Sequence, residues 1–147
     1  MPNITVRRMA ESDLDIVSII EREVFQDPWS LNAFKTDLNN KMAWPMVAEF
    51  EKKVVGYSNI YIVAGEVQIG NFAVAPGFRK RGVGKKLMNE IFEKANENKC
   101  HSIFLEVRES NLPAMELYKS YGFMSAGKRK DYYSDPKENA VIMVKEL

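Results

Sequence analysis

The chain has 147 residues, 46% hydrophobic and 28% charged, which suits one domain over residues 1–147 around one core and excludes a disordered chain. Twenty-one basic against 20 acidic residues leave a formal charge of +1, too little for bulk attraction to nucleic acid or a membrane surface. The single cysteine, Cys100, excludes an internal disulfide and suits a reducing cytoplasm, and no apolar run reaches the ~18–20 residues that span a bilayer.

In chain order, Met1 to Arg7 lacks the apolar stretch of a signal peptide, and Ile4 to Met9 reads as a first strand. Ser12 is placed to cap a helix, with Asp15 at the capping-box position, running through Leu14, Val17, Ile20, Val24 and Phe25. Asp27-Pro28 breaks it. Ser30 caps a short second helix carrying Leu31, Phe34 and Leu38, which ends at Asn39-Asn40. Met46 to Glu51 and Val54 to Val63 read as two strands of a hairpin joined at Lys52-Lys53, and Ala64-Gly65-Glu66 turns into a further strand ending at Val74. The next helix puts Val83, Leu87, Met88, Ile91, Phe92 and Ala95 on one face.

Ser102 to Val107 is a strand, with Ile103 and Leu105 facing opposite to Phe104 and Glu106. Asn111 caps a last helix that tolerates Pro113 in its first turn and closes at Gly122, with Phe123 as the hydrophobic contact beyond. Phe123 to Lys130 and Ala140 to Lys145 finish the chain as two strands linked through Ser134 to Asn139. This order predicts an α/β fold whose mixed central sheet has an antiparallel N-terminal part and a parallel centre, flanked by helices.

Arg79-Lys80-Arg81-Gly82-Val83-Gly84, between the strand ending at Val74 and the following helix, is the most informative stretch. A helix start offers unpaired N–H groups and a positive dipole end, glycines let backbone approach an anion, and Arg79, Lys80, Arg81 and Lys85 add charge. This is a phosphate cradle. No Ser or Thr follows Gly84-Lys85, as a nucleotide P-loop needs, and Leu87 stands where a dinucleotide fingerprint needs its third glycine.

Three further residues carry chemistry. Glu106 lies among Phe104, Leu105 and Val107, where a carboxylate is costly unless paired or functional; Arg108 is one candidate partner. Asn111 suits either a ligand amide or a plain helix cap. Tyr118 offers a phenol, although it or Tyr121 equally suits a core aromatic. Together they fit acyl transfer from a thioester to an amine, which needs one base for an amine of pKa ~7.7–8.0 and one acid for the leaving thiolate. No metal is required. The lone His101 has no ligand partner at metal spacing, and Cys100 precedes the Glu106 strand, at the end away from the cradle.

Arg79-x-x-Gly82-x-Gly84, with the lead-in Asn71-Phe72-Ala73-Val74-Ala75-Pro76, resembles the acyl-CoA pyrophosphate loop of the GNAT acetyltransferases. Leu105-Glu106-Val107-Arg108-x-Ser110-Asn111-x-x-Ala114-x-x-Leu117-Tyr118-x-x-x-Gly122-Phe123 narrows the likeness to the bacterial ribosomal-protein alanine N-acetyltransferases. Glu21-x-x-x-Phe25-x-x-Pro28-Trp29-Ser30-x-x-x-Phe34, Asp131-Tyr132-Tyr133 and Ala140-Val141-Ile142-Met143 extend it over nearly the whole chain; residues between Lys35 and Met42 match less well.

The resemblance implies the GNAT fold and acetyl-CoA as co-substrate. Phe72, Ala73 and Val74 would pair with pantetheine, and Arg79, Lys80, Arg81, Gly82, Val83, Gly84 and Lys85 would hold the pyrophosphate. Asn111 and Tyr118 would lie beside the cofactor, with Glu106 as general base and Tyr118 as general acid. Trp29, Tyr132 and Tyr133 would flank a slot for a protein N-terminus, an alanine-initiated small-subunit ribosomal protein. Asp27, Asp131 and Asp135 near that slot are candidates to steer a basic substrate. A cytoplasmic monomer is expected. Two other readings stay open: a GNAT enzyme for a small amine or lysine side chain, and a non-catalytic acyl-CoA-binding module. Glu106 with Tyr118 speaks against the module, and Trp29 with Tyr132-Tyr133 favours a peptide over a small amine.

Overall fold

Strand β1 (Ile4–Arg8) leads through a 3₁₀ turn (Glu11–Asp13) into helices α1 (Leu14–Val24) and α2 (Leu31–Leu38) of the computed structural model, which describes residues 3–147. Three strands follow, β2 (Ala43–Phe50), β3 (Lys53–Val63) and β4 (Glu66–Val74), then α3 (Val83–Glu97), β5 (Ser102–Arg108), α4 (Leu112–Ser120), β6 (Met124–Ser134) and β7 (Lys137–Glu146). All seven strands join one sheet in the order β1-β2-β3-β4-β5-β7-β6. The parallel centre is one pair, β4 with β5; every other neighbour is antiparallel.

Local chemistry explains most boundaries. Ser30 accepts the Ala33 N–H at 3.1 Å, as its type and position predict. Gly122 adopts φ +95° and closes α4, with the Phe123 N–H bonded to the Tyr118 carbonyl. The first helix departs from expectation. Ser12 does not cap it; Asp13 accepts the Ala10 N–H at 2.7 Å instead, and Arg7 binds both Asp13 oxygens. A carboxylate serves two charge-assisted bonds there, where a serine hydroxyl serves one weaker bond.

The hairpin turn between β2 and β3 is Glu51-Lys52, not Lys52-Lys53, and both residues have positive φ, +51° and +66°. That is the twist a two-residue turn needs to match its strands. Strand β2 also begins earlier than the apolar pattern shows, at Ala43, because Pro45 sits in it while its carbonyl still accepts the Met9 N–H. The last hairpin extends to Ser134 and Lys137, leaving Asp135-Pro136 as its turn.

The sheet is covered on both faces. Met46 and Ala48 of β2 point to the side where Val83, Leu87, Met88 and Ile91 of α3 pack, while Val47 points to Val17, Ile20 and Phe34 of α1 and α2. Each such buried aliphatic side chain contributes roughly 1.5–3 kcal/mol. Burial on both faces is why β2 to β4 read as apolar runs rather than alternations.

The turn supplies a test. Two non-glycine residues at positive φ each carry strain of roughly 1–2 kcal/mol. Lys52→Gly is expected to raise the urea midpoint, and Lys52→Val to lower it, without change in m-value. Equal midpoints would contradict the described turn.

Candidate active site

Strands β4 and β5 pair from Glu66 with Ser102 to Ile69 with Leu105, and then stop. The cause lies on β4. Asn59 pairs with Asn71 and Ile60 with Ile69, so Gly70 is an extra residue that bends β4 away. A side chain cannot replace it: a Cβ on Gly70 would lie 2.6 Å from the Tyr61 ring and 3.3 Å from that of Trp29. Beyond Gly70 the sheet is open, and three cavities meet in the gap.

The largest, about 510 Å³, runs between the end of β4 and the start of α3. It brings together Phe72, Ala73, Val74, Arg79, Lys80, Gly82, Val83, Gly84, Lys85, Asn111 and Tyr118 from the predicted cofactor set. Gly82 is the residue before α3 and adopts φ +88°, which turns the loop so that the helix N-terminus faces the groove. A Cβ on Gly84 would sit 3.7 Å from Phe72 and 3.8 Å from Val74, narrowing the groove. Arg81 is the exception. It does not line the groove, and its guanidinium lies 5.4 Å from the Phe78 ring centroid. Asn111 caps α4 by accepting the Ala114 N–H at 3.2 Å, and it borders the groove as well.

A middle cavity of about 210 Å³ shares Phe72, Asn111 and Tyr118 with this groove and adds Glu106 from β5. Tyr118 is held edge-on by Phe72 and Phe123, with centroids 6.1 and 5.9 Å away. Burial, and then the neighbouring Tyr133, push its phenol well above the ordinary value. Such a hydroxyl keeps its proton and can donate it. The Glu106 side chain is only 9% exposed; Arg129 Nε stands 3.4 Å from Oε1, and Oε2 is buried with no partner. Arg108 is not its partner.

The third cavity, about 240 Å³, shares Glu106 with the middle one and is lined by Trp29, Tyr132 and Tyr133 with Tyr61, Gln68 and Gly70. Interaction with the Glu106 carboxylate, ahead of burial, raises the Tyr132 phenol, while burial first raises that of Tyr133 to about 12.

Two residues named in the sequence have partners that it did not indicate. Glu21 is 1% exposed; its Oε1 accepts Tyr57 Oη at 2.6 Å and Asn71 Nδ2 at 2.7 Å, and its Oε2 accepts the Trp29 N–H at 2.9 Å. It therefore fixes Trp29 beside the cavity. The signal was present: Glu21 interrupts the apolar stripe Leu14, Val17, Val24 at helical spacing. Arg108 bonds Asp27 at 2.8 Å, Glu138 at 3.2 Å and the carbonyls of Asp135 and Pro136, so it ties the α1–α2 loop to the last hairpin. These contacts bear on two of the three residues considered for steering. Asp27 is paired with Arg108, and Asp131 lies 3.7 Å from Lys137, so neither is a free acidic charge. Cys100 is buried at the far end of β5, where burial raises its thiol.

A split sheet with a glycine-bearing helix N-terminus beside the gap offers a site for an extended, phosphate-bearing cofactor, and residues 13–123 match the acetyltransferase (GNAT) family. The chain belongs to that family and is an acetyl-CoA-dependent N-acetyltransferase. It is 39% identical over 139 residues to a Bacillus subtilis protein provisionally named as a ribosomal protein bS18-alanine N-acetyltransferase, covering 94% of this chain and 92% of that one. The crystal structure of the Escherichia coli ribosomal-protein-S18-alanine N-acetyltransferase superposes with a TM-score of 0.90 at 27% identity, covering 99% of this chain and 94% of that one. Ard1 from Thermoplasma volcanium superposes equally, with a TM-score of 0.90 at 28% identity over 98% of this chain and 97% of that one. No helix among the described residues is long and apolar enough to cross a membrane.

The groove fits acetyl-CoA by its helix N-terminus, its basic rim and its open floor at Gly84. Gly84→Glu is expected to weaken acetyl-CoA binding about 10-fold or more, because a carboxylate would fill that floor and repel phosphate. Titration calorimetry on the folded variant measures this, and unchanged affinity would remove the loop from the cofactor site.

Proposed function

We propose that this enzyme transfers an acetyl group from acetyl-CoA to the N-terminal α-amine of a protein, with an alanine-initiated ribosomal protein of the bS18 type as substrate. The observation that carries the reading is the middle cavity. Glu106 and Tyr118 both line it, one beside the aromatic slot and the other beside the cofactor groove. The names of the relatives support the substrate class.

Acetyl-CoA supplies the acetyl group as a thioester. The acceptor enters past Trp29, Tyr132 and Tyr133, whose aromatic surfaces suit main chain and small apolar side chains. Glu106 Oε2, buried and without a partner, takes a proton from the α-ammonium and frees its lone pair for attack. The C–N bond forms as the C–S bond breaks. Tyr118, kept protonated by burial, gives its proton to the departing sulfur, and the second proton shed by the acylated nitrogen returns to the Tyr118 oxygen. The α-amine suits a carboxylate base because its pKa of ~7.7–8.0 lies well below that of a lysine side chain, ~10.4.

Glu106→Gln is expected to lower turnover about 10²–10⁴-fold at neutral pH, with partial recovery at high pH where free amine is abundant. Tyr118→Phe should lower kcat with little change in acetyl-CoA affinity. Since the Tyr118 pKa is raised, its deprotonation cannot produce a falling limb of wild-type kcat below pH ~10. Wild-type rates in both variants across the pH range would remove these roles.

Substrate choice is read separately. Acetyl-CoA is offered with an alanine-initiated bS18 N-terminal peptide, the same peptide blocked at its N-terminus but retaining a lysine, and spermidine, with CoA release as the signal. The free peptide should have the highest kcat/KM, and the blocked one should be inert. Higher kcat/KM for spermidine or the blocked peptide would favour the small-amine or lysine reading.

A further inference from the structure

Glu106 reaches its neighbours through an irregularity in β6. Residues 129 and 132 are three apart, so a regular strand would point them to opposite faces. Here Arg129 pairs with Ala140 and Tyr133 with Glu138, so residues 130–132 oppose Asn139 alone. Asp131 takes φ +52°, and its N–H is held by Asn139 Oδ1 at 2.9 Å. Two extra residues leave Arg129 and Tyr133 in phase, so the turn at Asp131 is what brings Tyr132 round. Arg129 and Tyr132 both come to Glu106, the first by its guanidinium at 3.4 Å from Oε1 and the second at the shared wall of the slot. The row across the strands makes this reach possible: Glu106 lies opposite Ile142 and Gly127, and Arg108 opposite Ala140 and Arg129, so little side-chain bulk stands on β6 between Arg129 and the carboxylate.

The two oxygens of Glu106 are thereby unequal. Oε1 has a cation; Oε2 is buried and bare. We propose that Arg129 is a positioning residue for catalysis: it holds Oε1 so that Oε2 is presented to the acceptor amine, and the last hairpin thus completes the base carried by β5. The inference rests on the reading of Glu106 as the general base. Arg129 is half exposed, at 53% of its side chain, so it is not needed to fill the core. The bent hairpin is anchored independently, since Arg108 binds the carbonyls of Asp135 and Pro136 and the Glu138 carboxylate.

A double-mutant cycle tests it. Arg129→Gln should lower kcat about 10-fold with the acceptor KM changed little, the signature of a lost transition-state contribution rather than lost binding. Arg129→Lys should recover part of the rate, since a cation again faces Oε1. In the Glu106→Gln background, Arg129→Gln should cause no further loss, because both act on one group. Four outcomes would overturn the proposal. A lower acceptor KM at unchanged kcat would make Arg129 a competitor of the incoming ammonium instead. Additive losses in the double variant would place its action elsewhere. An Arg129→Gln enzyme of wild-type rate, alongside an impaired Glu106→Gln, would refute the positioning role alone, whereas wild-type activity in Glu106→Gln would refute the base assignment and this inference together.

Discussion

Strands β4 and β5 hydrogen-bond over four residue pairs and then part, and the rest of the site depends on that parting. Backbone groups demand partners, so a gap in the centre of a sheet is costly unless something else supplies them. The extra residue on β4 makes the gap, and it must be glycine because Tyr61 and Trp29 occupy the space above it. The gap turns the edge of β4, the N-terminus of α3 and the middle of β5 toward one channel. An extended cofactor can pair with the freed edge while its phosphates meet the helix dipole. Without the bend, Phe72 and Glu106 would sit on adjacent paired strands with no cavity between them.

Glu21 and Glu106 both border the middle cavity, and their surroundings give them different work. Glu21 takes donors on both oxygens from Tyr57, Asn71 and the Trp29 backbone. A buried carboxylate so saturated is a bracket joining α1, the following loop, β3 and β4, and its loss would strand three donors at once. Glu106 has the Arg129 guanidinium 3.4 Å from Oε1, the Tyr132 phenol interacting with its carboxylate, and one bare buried oxygen, Oε2. Only the second has an oxygen left without any donor. Burial alone does not distinguish them; the count of donors does.

The last hairpin is the other organising element. Arg108 leaves the end of β5 and binds both the α1–α2 loop and the hairpin turn, with its guanidinium 4.3 Å from the Tyr133 ring centroid. Five donors in a planar fork let one arginine hold two separate chain segments, which a lysine cannot do. The slot walls, Trp29 on one side and Tyr132-Tyr133 on the other, are thereby set at a fixed separation across the Glu106 carboxylate.

The sequence by itself determined the element order, the covered sheet and the cradle. Apolar periodicity, Ser30 before α2, Gly122 after α4 and the glycines before α3 are local signals that act within a few residues, and tertiary structure left them in force. Glu106 and Tyr118, singled out in the sequence as a carboxylate in an apolar strand and a tyrosine within a resembling motif, both line the middle cavity. Other assignments needed the fold. Asp13 displaced Ser12 as the helix-start acceptor because Arg7 on β1 reaches it, and nothing local to the helix records that. Glu21, Arg108 and Arg129 carry roles set by partners 36, 50, 81 or 23 positions away. The turn at Asp131, which brings Arg129 and Tyr132 to one carboxylate, belongs to the bulge of β6 against β7. Local pattern decides which residues form a strand; only pairing register decides which of them meet.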